Sequence, residues 1–380
     1  MTDQPTIELG LFEEDQPRAR GESHGERWRE AIHELAELRI DLTVAKSAMR
    51  DRDEVLAVAR LHLPVLAAYD RDLHEELLGI ARGAALSPEQ IVVLNHYTDL
   101  RDVPREVLSG PIAGGEGRGA PEDGGCTAIY LPGRGAPVLG QTWDMHGTAA
   151  PYVRVLHIRP RGGADELLCF TLAGCLGMTG LSARGLGVTI NNLTSTDAQV
   201  GVIWPALVRA LLREPDAVTA RDRLFATPLS SGHHYMIADG RDFYGVETSG
   251  RLKVLTQQGG RAAHLHTNHC FDPVLRRHER VARTSTTFRR MELASTLYVQ
   301  QRPRDAEGLW SLLSSHEGYP RSICSHVDDA QGDPSASRTC GRMVMDLSGG
   351  RVLAGAGCGQ EVPASVFTLD RWPPITHDHD

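Results

Sequence analysis

A cysteine thiol can attack the carbonyl of the peptide bond before it and move the acyl group from nitrogen to sulfur. Glycine on the acyl side raises no side-chain barrier to the strained geometry this needs. Three Gly-Cys pairs occur in the chain: Gly125-Cys126, Gly174-Cys175 and Gly357-Cys358. Cys175 in LAGCLGMTGL and Cys358 in LAGAGCGQE sit among small residues suited to tight strand packing, where a buried thiol is an ordinary structural choice. Cys126 differs in its setting. SGPIAGGEGRGAPEDGG, from Ser109 to Gly125, has no periodicity and reads as a deformable exposed linker, and a strand pattern begins where it ends. Hydrolysis of a thioester at that junction leaves Cys126 as a new N-terminus. Its α-amine, with a reference pKa of roughly 7.7 to 8.0, is a base beside the thiol. Nucleophile and base then share one residue, and no histidine partner is needed.

A second constellation, His264, His266, His269 and Cys270 in HLHTNHC, invites a metal reading, because neighbouring histidines can converge on zinc. No second ligand group with zinc-site spacing accompanies it, and none of the seven cysteines forms a CxxC pair. The expectation is therefore no metal and no cofactor, with His233 and His234 read as strand residues.

These residues need elements to hold them. From about Glu22 to Asp99 apolar residues recur at helical spacing, as in Trp28, Ile32, Leu35 and Leu38, and Ser87-Pro88-Glu89-Gln90 supplies a helix start. After Cys126 come short β-type runs: CTAIYL, PVLGQTW, YVRVLHI, ELLCFTL and LGVTINNL. Ile203 to Phe225 is helical again. HHYMIA, FYGVET and RLKVLT follow as a meander turned at Asp239-Gly240 and Ser249-Gly250. Arg276 to Leu297 reads as helix, and CGRMVMDL and RVLAGAG as a closing hairpin. Strands in runs and helices in runs predict an α+β fold with antiparallel sheets covered by helices.

The 380 residues are 41% apolar and 23% charged, the composition of a folded globular chain. A formal charge of −9 disfavours a broad nucleic-acid or anionic-membrane surface. No apolar run approaches the roughly 20 residues of a membrane span, and the acidic opening lacks the layout of a signal peptide. The expected location is cytoplasmic, with no nucleic-acid or membrane partner.

GGCTAIYLPGRGAPVLGQTWDM resembles the start of the mature β subunit in the acyl-coenzyme A:6-aminopenicillanic acid acyltransferase family, a branch of the N-terminal-nucleophile hydrolases. LLGIARGAALSPEQIVVLN, AGCLGMTGLSARGLGVTINNL, HTNHCFDP and SICSH resemble further family segments in the family's order, from about Gly21 to Gly359. The resemblance implies a four-layer αββα sandwich and cleavage between Gly125 and Cys126. Residues 1–125 become a small, mainly helical α chain ending in the Gly-rich linker, and residues 126–380 a β chain with the sheets and the catalytic Cys. The two remain an α/β heterodimer, to which a higher oligomer is open.

Carried over by position, Cys126 is the nucleophile, Asp144 its carboxylate and Asn268 an oxyanion donor, with Thr127, Asn192 and Arg338 as candidate substrate-binding residues. Asp144 follows Cys126 by 18 residues, so a hairpin can bring it to the new amine; a turn-capping aspartate is the plain alternative. Asn268 is equally readable as a loop asparagine bonding backbone, and Arg338 as a surface arginine. The implied activity is hydrolysis or transfer of the acyl group of a linear small-molecule amide, with water, an amine or an acyl-coenzyme A as the other reactant. The rivals are a catalytically inactive small-molecule-binding protein of the same fold and a zinc protein built on HLHTNHC.

Overall fold

The structure is a computed structural model that describes residues 7–109, 125–133, 137–162, 166–333 and 335–372. Residues 110–124, nearly all of the expected linker, lie outside the described residues, as do residues 1–6 of the acidic opening.

Helical periodicity early in the chain becomes five consecutive helices: α1 (Pro17–Arg27), α2 (Arg29–Lys46), α3 (Arg52–Tyr69), α4 (Arg71–Ala84) and α5 (Pro88–Asp102). Their starts are written locally. Asp51 and Asp70 cap α3 and α4 through backbone amides, and Ser87 with Gln90 forms a reciprocal capping box at α5. Together α4 and α5 carry enough apolar residues to pass as a membrane span, but they are bent by 114° at their junction and bury those residues in the core. Among the described residues no single helix is long and apolar enough to cross a membrane.

The strands are β1 (Glu8–Phe12), β2 (Ala128–Leu131), β3 (Val138–His146), β4 (Val153–Ile158), β5 (Leu167–Leu172), β6 (Thr179–Ser182), β7 (Gly187–Leu193), β8 (Gly232–Ala238), β9 (Phe243–Thr248), β10 (Lys253–Gln258), β11 (His264–His266), β12 (Ser337–Asp346), β13 (Arg351–Ala356) and β14 (Ser365–Thr368). They form an eight-stranded sheet ordered β1-β4-β5-β6-β7-β8-β9-β10 and a six-stranded sheet ordered β11-β2-β3-β12-β13-β14. The sheets pack face to face through β2 and β3 on β7 and β12 on β6.

Helices α1–α5 with α6 (Trp204–Leu212) and α7 (Ala217–Ala226) cover the first sheet, and α8 (Thr287–Gln301) and α9 (Ala306–Leu313) cover the second. The architecture is the expected αββα sandwich. Being covered on both sides explains why β3 is buried at every position while carrying Gln141, Thr142, Asp144 and His146. Polar side chains in such a strand need partners or a task.

Three local readings are corrected. First, β1 joins the sheet although its acidic surroundings hide it, and its pairing with β4 is parallel, so the larger sheet is mixed. Second, Arg276 to Leu297 is not one helix. After a short turn at Leu275–Arg277, the His278 carbonyl accepts from the Thr196 amide and the Arg280 amide donates to the Thr194 carbonyl, both in the loop beyond β7, and α8 begins at Thr287. Third, β2 starts at Ala128, with Thr127 joined to β3 through its backbone carbonyl and the Thr142 amide.

Candidate active site

Antiparallel pairing of β2 with β3 sets Ala128 opposite Gln141, so the residues just before β2 lie beside the part of β3 that carries Asp144. On the other flank β11 pairs with β2, His266 opposite Ala128, and the chain leaving β11 brings Asn268 to the same end. Cys126, Asp144, Asn268 and Asn192 therefore line one cavity of about 30 Å³ with Gly125 and a wall of Trp143, Met145, Ile190 and Trp204. That volume is room for about one or two waters. Asp144 and Cys126 are 1% and 6% exposed.

Gly125 is where the backbone demands glycine. Its φ is +152°, outside what side chains comfortably adopt, and a Cβ there would fall 2.1 Å from Asn268 Oδ1 and 2.6 Å from Nδ2. The peptide before Cys126 is thus pressed onto the Asn268 amide.

That amide is held from both ends. Its Nδ2 donates to the Asn192 carbonyl at 2.9 Å, and its Oδ1 accepts from Arg290 Nη2 at 2.9 Å. The Asn268 backbone N–H is tied to Thr287 Oγ1 at 2.8 Å, on the first turn of α8. These partners fix which end of the side chain is the donor.

Arg290, missed from sequence, organises the site. Its guanidinium is wholly buried and donates to the Cys126 carbonyl at 2.7 Å, Thr127 Oγ1 at 3.1 Å, Thr286 Oγ1 at 2.9 Å and Asn268. Asn191 on β7 adds a second donor to the Cys126 carbonyl at 3.0 Å from across the sandwich. The downstream side of Cys126 is thereby rigid. A signal was present: Arg290 precedes Leu293, Ala294 and Leu297 at helical spacing on the buried face of α8, an unusual place for a guanidinium.

Asp144 has one satisfied and one unsatisfied oxygen. Oδ1 accepts from Thr339 Oγ1 on β12 at 2.7 Å, while Oδ2 lies 3.9 Å from Arg290 Nε and accepts no hydrogen bond. Burial pushes this carboxyl up to about 6, against the pull of Arg290 and of the Thr339 hydroxyl.

The other sequence candidates divide. Asn192 lines the cavity, its side-chain oxygen buried without a partner. Thr127 is fully buried and spent on Thr142 and Arg290, which makes it a framework residue. Arg338 does not line the cavity and binds Asp328 at 3.1 Å. In HLHTNHC, His266 uses both ring nitrogens on Glu247 and the Thr267 carbonyl, and His269 turns to Thr267 and Thr287. Those histidines hold the loop that carries Asn268. His233 and His234 are on β8 as expected.

Comparison with known proteins bears on the same region. A family model described as acyl-coenzyme A:6-aminopenicillanic acid acyl-transferase matches residues 131–333, more than half of the chain; the match begins just beyond Cys126 and contains Asp144, Asn268 and Arg290. The 40 kDa form of acyl-coenzyme A:6-aminopenicillanic-acid-acyltransferase from Emericella nidulans is 25% identical over 202 residues, 52% of this chain and 51% of that protein. The chain thus spans about half the length of the curated relative it matches. Among solved structures, penicillin V acylase from Agrobacterium tumefaciens aligns with a TM-score of 0.36 at 14% identity, over 64% of this chain and 84% of that one. A variant of conjugated bile acid hydrolase from Clostridium perfringens aligns at 0.39 and 12%, over 67% of this chain and all of that one. Most of the wall around Cys126, Asp144, Asn192 and Asn268 included, comes from the segment the family model matches, and the chain belongs to the acyl-coenzyme A:6-aminopenicillanic acid acyl-transferase family.

Proposed function

We propose that the protein is a self-processing cysteine N-terminal-nucleophile enzyme that cleaves or transfers the acyl group of a linear small-molecule amide through a thioester on Cys126. The observation that carries this reading is the Gly125 backbone, held at positive φ against the Asn268 amide in the cavity that also contains Cys126 and Asp144.

In maturation the Cys126 thiol attacks the Gly125 carbonyl and Asn268 donates to the developing oxyanion. The C–N bond breaks, the acyl group passes to sulfur, and the nitrogen takes up the proton lost by the thiol to become an amine. Water then hydrolyses the thioester, leaving residues 1–125 and 126–380. The new amine lies in the cavity with Asp144 Oδ2, and as an ammonium it supplies the hydrogen-bond donor which that oxygen lacks. Release of Gly125 from the cavity wall also enlarges a space now too small for an acyl group.

In turnover the amine takes the thiol proton, sulfur attacks the substrate carbonyl, and the same amine returns the proton to the leaving nitrogen. Water as acceptor completes a hydrolysis, while an amine or coenzyme A thiol completes a transfer. We favour hydrolysis because water needs no second binding site. Denatured intact mass tests the first half and acyl-enzyme trapping with a panel of acylated amines tests the second. Cys126→Ala should remain whole and carry no acyl adduct. A wild-type chain that stays uncut yet turns over at full rate overturns the mechanism.

A further inference from the structure

On the opposite side of β12's Thr339 from the catalytic cavity, a second cluster of reactive side chains takes no part in this chemistry. His316 and Cys324 lie in the segment after α9, His326 opens α10 (Val327–Gln331), and Cys358 follows β13. One ligand atom from each of the four lies within 4.8 Å of every other. His316 Nε2 is 3.2 Å from His326 Nε2 and 3.3 Å from Cys358 Sγ, and Cys324 Sγ is 3.7 Å from His326 Nε2.

Those separations have a chemical meaning. Around a tetrahedral zinc with Zn–N of roughly 2.0–2.1 Å and Zn–S of roughly 2.3 Å, the edges are about 3.3 Å between nitrogens and about 3.5 Å between nitrogen and sulfur. Two thiolates and two imidazoles are also the donor set that zinc prefers. We propose that His316, Cys324, His326 and Cys358 form a structural zinc site.

The surroundings support a bound ion. Cys324, His326 and Cys358 are buried. The remaining ring nitrogen of His326, Nδ1, faces Asp329 Oδ2 at 3.0 Å, the carboxylate partner that orients a ligating imidazole. The Gly359 amide donates to Cys324 Sγ at 3.5 Å, and the Arg342 guanidinium, which interacts electrostatically with both sulfurs, lies alongside, so negative charge on them is compensated. With all four positions filled by protein, the site is closed and serves structure rather than catalysis.

The site also explains what fastens Thr339. The Ser325 amide, between two ligands, donates to Thr339 Oγ1 at 2.8 Å, the Thr339 amide returns a bond to the Ser325 carbonyl at 2.9 Å, and that same hydroxyl holds Asp144. Zinc would thus anchor the loop behind the carboxylate. The inference does not depend on the acyl chemistry at Cys126. It departs from the expectation of no metal, which rested on HLHTNHC and on the lack of a CxxC pair and did not join residues from the separate segments at 316, 324–326 and 358.

The test is metal content of untagged wild-type protein, produced in zinc-supplemented medium and purified without chelator. Equimolar zinc is expected, lost in the double variant Cys324→Ser/Cys358→Ser and retained in His264→Gln. Cobalt exchanged into the wild type should show the visible bands of a tetrahedral ion and a thiolate charge-transfer band. Because the double variant can fail to fold, Asp329→Asn at a half-exposed position provides a second measurement, with zinc affinity lowered about 10- to 100-fold. Wild-type protein without equimolar metal, zinc persisting in the double cysteine variant, or an intact mass lighter by two hydrogens from a Cys324–Cys358 disulfide each overturns the site.

Discussion

At the scale of single residues, the site turns on a carboxylate that is half satisfied and an amide that is fully held. Burial pushes the Asp144 carboxyl up to about 6, and its ionised form is the one that can pair with an ammonium. Maturation measured by denaturing mass at a series of pH values should therefore be level above about pH 6 and fall about tenfold per unit below it, while Asp144→Asn should be slow throughout with that limb absent. Asn268→Ala should lower turnover about 10²- to 10³-fold with little change in ground-state binding, since its donor acts mostly once charge develops; normal turnover would remove Asn268 from the site. Cys126 was legible in the sequence because a glycine run meets a strand pattern there. Asp144 and Asn268 were legible only through resemblance, as neither residue type at those spacings selects a role. Arg290 left a signal, a guanidinium on the apolar face of a helix pattern, but its role was not legible, because its meaning lies in acceptors from residues 126–127, 268 and 286 that only the folded chain assembles.

Among elements, β12 matters more than its plain hairpin pattern suggested. Thr339 lies opposite Asp144 and donates a hydrogen bond to its Oδ1. Thr339→Val keeps the shape and removes that donor, which raises the carboxyl further. The acid limb of the maturation profile should move to higher pH by about one unit, whereas Thr339→Ser should leave it in place. An unmoved limb in the valine variant would show that Asp144 is not the group being titrated. Helix boundaries illustrate the limit of sequence reading at this scale. Capping residues announced α5, but no such residue told that the backbone of residues 278–280 is taken by the loop beyond β7, a contact of long sequence separation.

For the whole molecule, the proposed cut between Gly125 and Cys126 raises the question of what would keep residues 1–125 and 126–380 together. Glu76 of α4 is buried between Arg20 of α1 and Arg209 of α6, with Arg20 Nη2 at 2.8 Å and Arg209 Nη1 at 2.9 Å. Burial pushes the Glu76 carboxyl up, but the two guanidinium groups outweigh it and hold the group at about 2. A depressed carboxylate contributes fully above its usual range, near 4.5, and loses that contribution only as pH falls toward 2. The cut pair should accordingly stay associated at pH 5 by native mass. Glu76→Gln leaves two buried cations without a counter-charge and should weaken the assembly by about 3–5 kcal/mol, read as dissociation or a lowered melting temperature.

The parallel pairing of β1 with β4 has a consequence for how the protein must be made. Val153–Ile158, buried and mostly apolar, has β5 on one side and depends on Glu8–Phe12 for the other. Produced without residues 1–125, the larger fragment would present that strand as an open edge, a template for sticking to copies of itself. The small fragment of the proposed cut would then be more than a discarded leader. In the proposed processing it would act as a built-in chaperone, closing the sheet of the fragment from which it would later be severed. Residues 126–380 expressed alone should aggregate, and co-expression of residues 1–125 as a separate chain should restore soluble protein, in which the strand is donated between molecules rather than within one.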